Sequence, residues 1–457
     1  MLFAPITLLA IVAGVSAQTT AHNDFSAYDE IVSKATRTPK FSTINPAATD
    51  IAKAAETAAV NSFKDKPLVK GKAFDKFYQV WLENTDKWKA RDEPGLVELQ
   101  KQGITLTNYW GLTHPSEPNY VGVVGGDYFG IFDDAFLRIP ENVSTVVDLL
   151  DSKNISWAEY QEHQPHAGFE GFNYSRQSDY ANDYVRKHNP LIIYDSVVSN
   201  PHNLGYIKNY TEFNKDLKNK DLPQWAFFTP NMTNDGHDTD ISVSGRYVTN
   251  WVKPLLNNTE FAKDSLIIIT FDENETYKDQ NSVLAILLGG AVPDHLRGTT
   301  DDTFYDHYSN LATVEANWEL PHLGRGDVNA NVFKFVADEL NIKNRNISTE
   351  GLYHNASQPG YFMDDTVPIP VPDLTAVGIS GNKILPKIAE IWGKAAEKNS
   401  TVAYPNSTAS ATSGAGVANP DLNHTSPSVV PSKNTNGATL ITLSGAALVG
   451  AIGALLL

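Results

Sequence analysis

The chain contains no cysteine in 457 residues, so disulfides contribute nothing to its stability, and core size and glycans must supply it instead. Positive charge is also scarce. Lys and Arg total 36 against 53 Asp and Glu, a formal charge of −17, which argues against nucleic acid as a partner. The same excess repels phosphate-bearing ligands, so a phosphate-handling site here needs local positive charge, most simply a divalent metal ion. No internal repeats and no run of basic residues occur. No G-x-S-x-G elbow surrounds any serine considered below, which counts against an ordinary lipase or esterase.

What is present divides the chain into five parts. Residues 1–17, "MLFAPITLLAIVAGVSA", are apolar and close in small residues, as a cleaved secretory signal does. Residues 18–70 form an N-terminal segment. Its stretch "TDIAKAAETAAVNSF" reads as a helix capped by Thr49 or Asp50. Residues 71–398 are the expected catalytic domain with a C-terminal extension. Residues 399–436 are rich in Ser, Thr, Asn and Pro and read as a glycosylated stalk. Residues 437–457 are uncharged and apolar, as a glycosylphosphatidylinositol signal is, with attachment expected at Asn436 or, alternatively, Asn434; an intact transmembrane span is the competing reading. A membrane partner through that anchor and a cell-surface or cell-wall location follow from this reading. Sequons at Asn142, Asn154, Asn173, Asn209, Asn257, Asn346, Asn355, Asn399, Asn406 and Asn423 agree with export. Asn231 and Asn274 are also sequons, but they sit in polar motifs that a glycan would block.

From 71 to 345 short apolar runs alternate with helical stretches. "FYQVWLEN", "GITLTNYW", "SLIIITFDEN" and "SVLAILLGG" read as strands; "VSTVVDLLDSKN" and "SNLATVEANWEL" read as amphipathic helices. The expected class is α/β, with a mainly parallel sheet covered on both faces. Ligands of such sheets bind beyond the carboxyl ends of the strands. Two candidate strands end in paired oxygen ligands there, Glu83-Asn84 and Asp272-Glu273. Either pair alone could simply cap its loop. Both together, with Ser116 in the polar segment "GLTHPSEPNYVGVVGGD", favour a site. A serine between a strand and a helix start can aim its hydroxyl into a cleft, and it needs a base or a metal to become a nucleophile. Histidines in "RKHNP" (His188), "NDGHD" (Asp235, His237) and "YDHYS" (Asp306, His307) complete the polar inventory, and carboxylates with imidazoles suit a borderline divalent ion.

"LENTDKW", "THPSEPNYVGVVGGD", "NDGHD", "TFDE" and "DHYS" together, over residues 71–345, resemble the phosphoesterase family of acid phosphatases and phosphatidylcholine-type phospholipases C. The likeness is greatest to its fungal phosphate-repressible acid phosphatases. The resemblance implies a fold like that of the alkaline-phosphatase superfamily and hydrolysis of phosphate monoesters through a phosphoserine. It makes Ser116 the nucleophile, with His237 and His307 beside a second metal position or protonating the leaving group. It implies Glu83, Asp235, Asp272 and Glu273 as metal ligands and Asn84 and Asn119 as substrate-holding groups; His188 is a further candidate for holding substrate. The metal is a divalent ion of unknown identity. The continuation "LENTDKWKA" departs from the phospholipase branch and weakens a lipid substrate, and "DEN" replaces the glycine-rich continuation of many bacterial members. A phospholipase C-like phosphodiesterase and a non-catalytic wall glycoprotein are the alternatives.

Overall fold

The computed structural model describes residues 40–41, 43, 45–179, 181–354 and 369–398. The expected signal segment, the stalk, the C-terminal apolar segment and Asn355, Asn399, Asn406, Asn423, Asn434 and Asn436 lie outside them. Among the described residues no helix is long and apolar enough to cross a membrane.

The strands run in chain order β1 (Lys76–Leu82), β2 (Ile104–Trp110), β3 (Trp157–Gln161), β4 (Asn173–Tyr174), β5 (Tyr184–Val185), β6 (Ile207–Asn209), β7 (Trp225–Thr229), β8 (Ser265–Phe271), β9 (Ser282–Leu288), β10 (Thr299–Asp301) and β11 (Tyr305–Asp306). β4 and β5 make a small hairpin of their own. The rest form one nine-stranded sheet in the order β10-β2-β9-β8-β1-β7-β3-β6, with β11 also on β2. Every pairing in it is parallel except those of β9, which runs against both β2 and β8. The mainly parallel α/β sheet expected from sequence is therefore present, with one reversed strand inside it.

β8, "SLIIITF", is buried at every position, and β9 at every position after Ser282. Each aliphatic side chain so buried contributes roughly 1.5–3 kcal/mol, which is what holds the strands central. Leu82 pairs with Phe271 at the carboxyl ends of β1 and β8. The two acid pairs that follow thus leave the sheet side by side, as expected of ligands at strand ends.

β2 leads through a turn into the helix Ser116–Gly125, all of whose residues are buried. Its small residues permit that depth. A Cβ on Gly122 would lie 2.3 Å from Leu112 Cδ1, and one on Gly125 would lie 2.0 Å from the Tyr194 hydroxyl. Gly126, at φ +75°, ends the helix by donating its N–H to Gly122. The expected helices at 143–154 and 309–320 are present as Val146–Asp151, capped by Thr145, and Tyr308–Trp318. The N-terminal helix spans Ala48–Thr57. Its cap position is Ala47, and no side chain caps it, so neither Thr49 nor Asp50 has the expected role. That segment is not a separate body, because Phe63 packs in the main core and Ile51 packs with Phe169 and Tyr184.

Candidate active site

Backbone bonds at the sheet's carboxyl edge bring the acids together. Glu83 N–H donates to the Asp235 carbonyl at 2.9 Å, and Asp272 N–H donates to the Leu82 carbonyl at 3.2 Å. Asn84 adopts φ +34°, close to the left-handed region that Asn tolerates best among residues with a side chain. That turn aims its N–H at Asp272 Oδ1, 3.2 Å away. Ser116 opens its helix with Oγ donating to Glu83 Oε2 at 3.1 Å. Tyr120, one helical turn further on, donates its hydroxyl to Glu83 Oε1. The nucleophile candidate and one orienting phenol thus come from one helix and meet one carboxylate.

His188 fills the other side. Its Nε2 is 3.3 Å from Glu83 Oε2 and its Nδ1 is 3.5 Å from Asp235 Oδ2. Neither ring nitrogen has a hydrogen-bond partner among the described residues, and neither do Asp235 Oδ2, Asp272 Oδ2 and Asn84 Oδ1, all of them buried. Unmet buried polar atoms are costly, and so many in one place call for a ligand. Glu83, His188 and Asp235 offer ligand atoms all within 4.8 Å of one another, a group that can hold a metal ion. Sequence placed His188 with substrate; the structure seats it between two of the acids.

The electrostatics agree. Burial pushes the Glu83 carboxyl well above its usual range, and Asp272 and Asp235 push it further. Asp235 and Asp272 are raised by burial too, with the His237 N–H opposing in the first case and Glu83 and Ser116 in the second. Burial, then Lys187 and His237, holds His188 well below its usual value, so its imidazole is neutral and has a lone pair to give. Like charges crowded in low dielectric with a neutral imidazole are what a divalent cation relieves.

Other expected residues are placed differently. Glu273 stands apart from that trio, with Oε2 2.6 Å from His114 Nδ1, on which the Tyr277 ring stacks at 3.9 Å between centroids. Asn119 was expected on substrate oxygens. Its Oδ1 instead accepts from Leu112 and Thr113 N–H, and its Nδ2 donates to the Thr113 and Pro115 carbonyls. With both ends of the amide spent, it braces the turn that carries Ser116. His307 has both ring nitrogens engaged, one at 2.6 Å from the Asp272 carbonyl and the other at 3.1 Å from the Tyr109 hydroxyl. Burial lowers its pKa to about 3, so it is a neutral ring whose one N–H is engaged by the Asp272 carbonyl. Asp306 caps the helix behind it through Tyr308 N–H at 3.0 Å. His237 donates its N–H to Asp235 Oδ1 at 2.8 Å, and its ring lies between Asp238 and Lys187.

Sequence reasoning missed Tyr120, His114 and Lys187. Tyr120 carried a usable signal, because it stands four residues after Ser116 on a helix. Of the sequons, Asn154, Asn257 and Asn346 are exposed, and Asn142 and Asn173 are half-buried. Asn209 spends both ends of its amide, on the Gln164 carbonyl and Glu212 N–H. Asn231 and Asn274 are buried, with Nδ2 engaged by His163 and the Thr276 carbonyl.

Residues 56–321 match the model of the Phosphoesterase family, more than half of the chain. The chain belongs to the phosphoesterase family. Within this family it is similar to a probable acid phosphatase of Kluyveromyces lactis, 53% identical over 368 residues that cover 80% of this chain and 87% of that one. It is also similar to an acid phosphatase of Aspergillus fumigatus, 51% identical over 354 residues covering 78% and 74%. Among solved structures it is similar to a protein in the alkaline phosphatase superfamily from Vibrio parahaemolyticus, at 12% identity and a TM-score of 0.35 over 58% of this chain and 73% of that one.

Proposed function

We propose that this phosphoesterase is an acid phosphatase that hydrolyses phosphate monoesters through a phosphoserine on Ser116. The observation that carries the mechanism is the Ser116 Oγ–Glu83 Oε2 hydrogen bond of 3.1 Å, which gives a buried serine an acceptor for its proton at the edge of an acid cluster. The family and its two acid-phosphatase relatives support the reaction class.

Glu83, Asp235 and His188 would hold a divalent cation, with Asp272 and Asn84 beside them. When bound, that ion supplies positive charge for the phosphoryl oxygens and the serine alkoxide. The rest is the work of the chain. Tyr120 fixes one oxygen of Glu83, leaving the other for the serine proton. Asn119 holds the turn so that Ser116 faces the acids. Serine gives its proton to Glu83 as its oxygen attacks phosphorus in line; the O–P bond to serine forms while the P–O bond to the ester alcohol breaks, and the alcohol leaves with the proton that Glu83 took up. Water then displaces serine, releasing phosphate and restoring the hydroxyl.

The test is Ser116→Ala assayed on p-nitrophenyl phosphate, bis-(p-nitrophenyl) phosphate and phosphatidylcholine. The wild type should prefer the monoester, and the variant should lose several decades in kcat with its fold unchanged. Preference for the diester or the lipid would replace the monoesterase reading with a phosphodiesterase. Near-normal turnover by the variant would overturn the serine mechanism.

A further inference from the structure

Lys187 sits directly before His188 in a short helical turn, Arg186–His188. Its Nζ donates to Asp134 Oδ2 at 2.8 Å and lies 3.3 Å from His237 Nε2. A lysine ammonium has three donors and no acceptor, so His237 Nε2 must be the unprotonated nitrogen and Nδ1 carries the hydrogen, donated to Asp238 Oδ1 at 2.9 Å. His237 Nε2 is thereby the acceptor that meets the Lys187 ammonium.

Both seats of Lys187 lead back to the reacting groups. Asp134 takes the Glu117 N–H on its other oxygen at 3.0 Å, and Glu117 is the residue after Ser116. His237 gives its own N–H to Asp235. Asp134, Lys187 and His237 therefore form a bonded arc from the nucleophile's turn to a metal-ligand candidate. Two ammonium hydrogens are spent on that arc, and the third has no partner among the described residues. The side chain is 15% exposed, enough to meet a ligand and too little for full hydration. The neighbouring Arg186 is committed elsewhere, to the Leu137 and Ile192 carbonyls. A phosphoryl dianion approaching Glu83, Asp235 and Asp272 needs a cationic donor held at a fixed place, and Lys187 has the charge, the spare hydrogen and the seat.

We propose that Lys187 is a catalytic residue of this site, the cation that hydrogen-bonds the phosphoryl oxygens of substrate and product, held in position by Asp134 and His237. The inference rests on the phosphatase reading and deepens it. The competing role is that of a counter-ion, needed only to let the acids coexist.

The experiment measures inhibition by inorganic phosphate, bound metal, melting temperature and kcat/KM for purified Lys187→Met and Lys187→Gln, with Ser116→Ala alongside. Whichever neutral variant folds decides the matter. The expected result is phosphate inhibition weakened at least tenfold and kcat/KM lowered a hundredfold or more, with metal content and melting temperature kept. Unchanged phosphate inhibition would overturn the inference. So would loss of metal together with loss of phosphate affinity, which marks the counter-ion role. Ser116→Ala separates the two levels. If it stays active the serine mechanism fails, whereas a dead Ser116→Ala beside a Lys187 variant of normal phosphate affinity refutes only the role of Lys187.

Discussion

Removing the metal should leave a protein that holds a proton in its place. Glu83 and Asp235 offer ligand atoms no more than 4.8 Å apart. At an effective dielectric constant of about 20, two carboxylate charges at that separation repel by about 3.5 kcal/mol. Protonating an ordinary Glu at pH 6 costs only about 2.3 kcal/mol. Repulsion therefore wins before burial is counted, and burial acts in the same direction. A divalent cation reverses the balance and expels the proton. Titrating zinc into chelator-treated protein at pH 6, by calorimetry in two buffers of different ionisation heat, should show about one proton released per metal bound. The stability of the metal-free form follows the same logic. Carboxyls whose folded pKa lies above the unfolded value stabilise the fold below the unfolded pKa, and that contribution is lost as pH rises through the folded one. Melting temperature of the metal-free protein should fall as pH rises above the ordinary carboxylate range, and metal should remove the decline. Metal binding with no proton release, or a metal-free protein that grows more stable over that range, would mean that the acids do not share a proton in place of the ion.

Tyr120→Phe removes the hydroxyl that fixes Glu83 Oε1, and metal affinity read by competition with a chelator should weaken roughly tenfold to a hundredfold. Asn119→Ala leaves two N–H groups and two carbonyls of the serine turn without their partner; denaturant unfolding should show a loss of about 2–4 kcal/mol, accompanied by lower kcat. Gly125→Ala drives a methyl group into the Tyr194 hydroxyl, which donates to the Val121 carbonyl at 2.8 Å, and should cost about 1–3 kcal/mol in the same assay.

The parts of the fold legible in sequence were those whose side chains report burial directly. β1 and β8 are apolar runs that end in acids, and that abrupt change located both the sheet's carboxyl edge and the acid pairs. β9 was visible as a buried strand, but its direction was not, because a strand buried on both faces has the same composition either way. β3 was missed because "WAEYQ" contains Glu159, a buried acid whose Oε1 accepts from Leu191 N–H at 2.9 Å, a pairing no local pattern announces. β7, "WAFFT", is only five residues long, apolar up to Thr229 and buried throughout, so periodicity has nothing to count. In the site, residue types were legible and their pairings were not. Asn119 and His307 are polar residues in the right segments, yet their hydrogen bonds to backbone and to Tyr109 make them braces. Lys187 was hidden beside His188 because its meaning depends on Asp134 and His237, each about fifty residues away.

The most direct measurement is acid quench of the wild-type enzyme during turnover of a phosphate monoester, followed by mass spectrometry of the peptide "GLTHPSEPNY". A phosphoryl group on Ser116 should accumulate within one turnover and disappear when substrate is exhausted. Turnover without a phosphorylated Ser116 would contradict the serine mechanism.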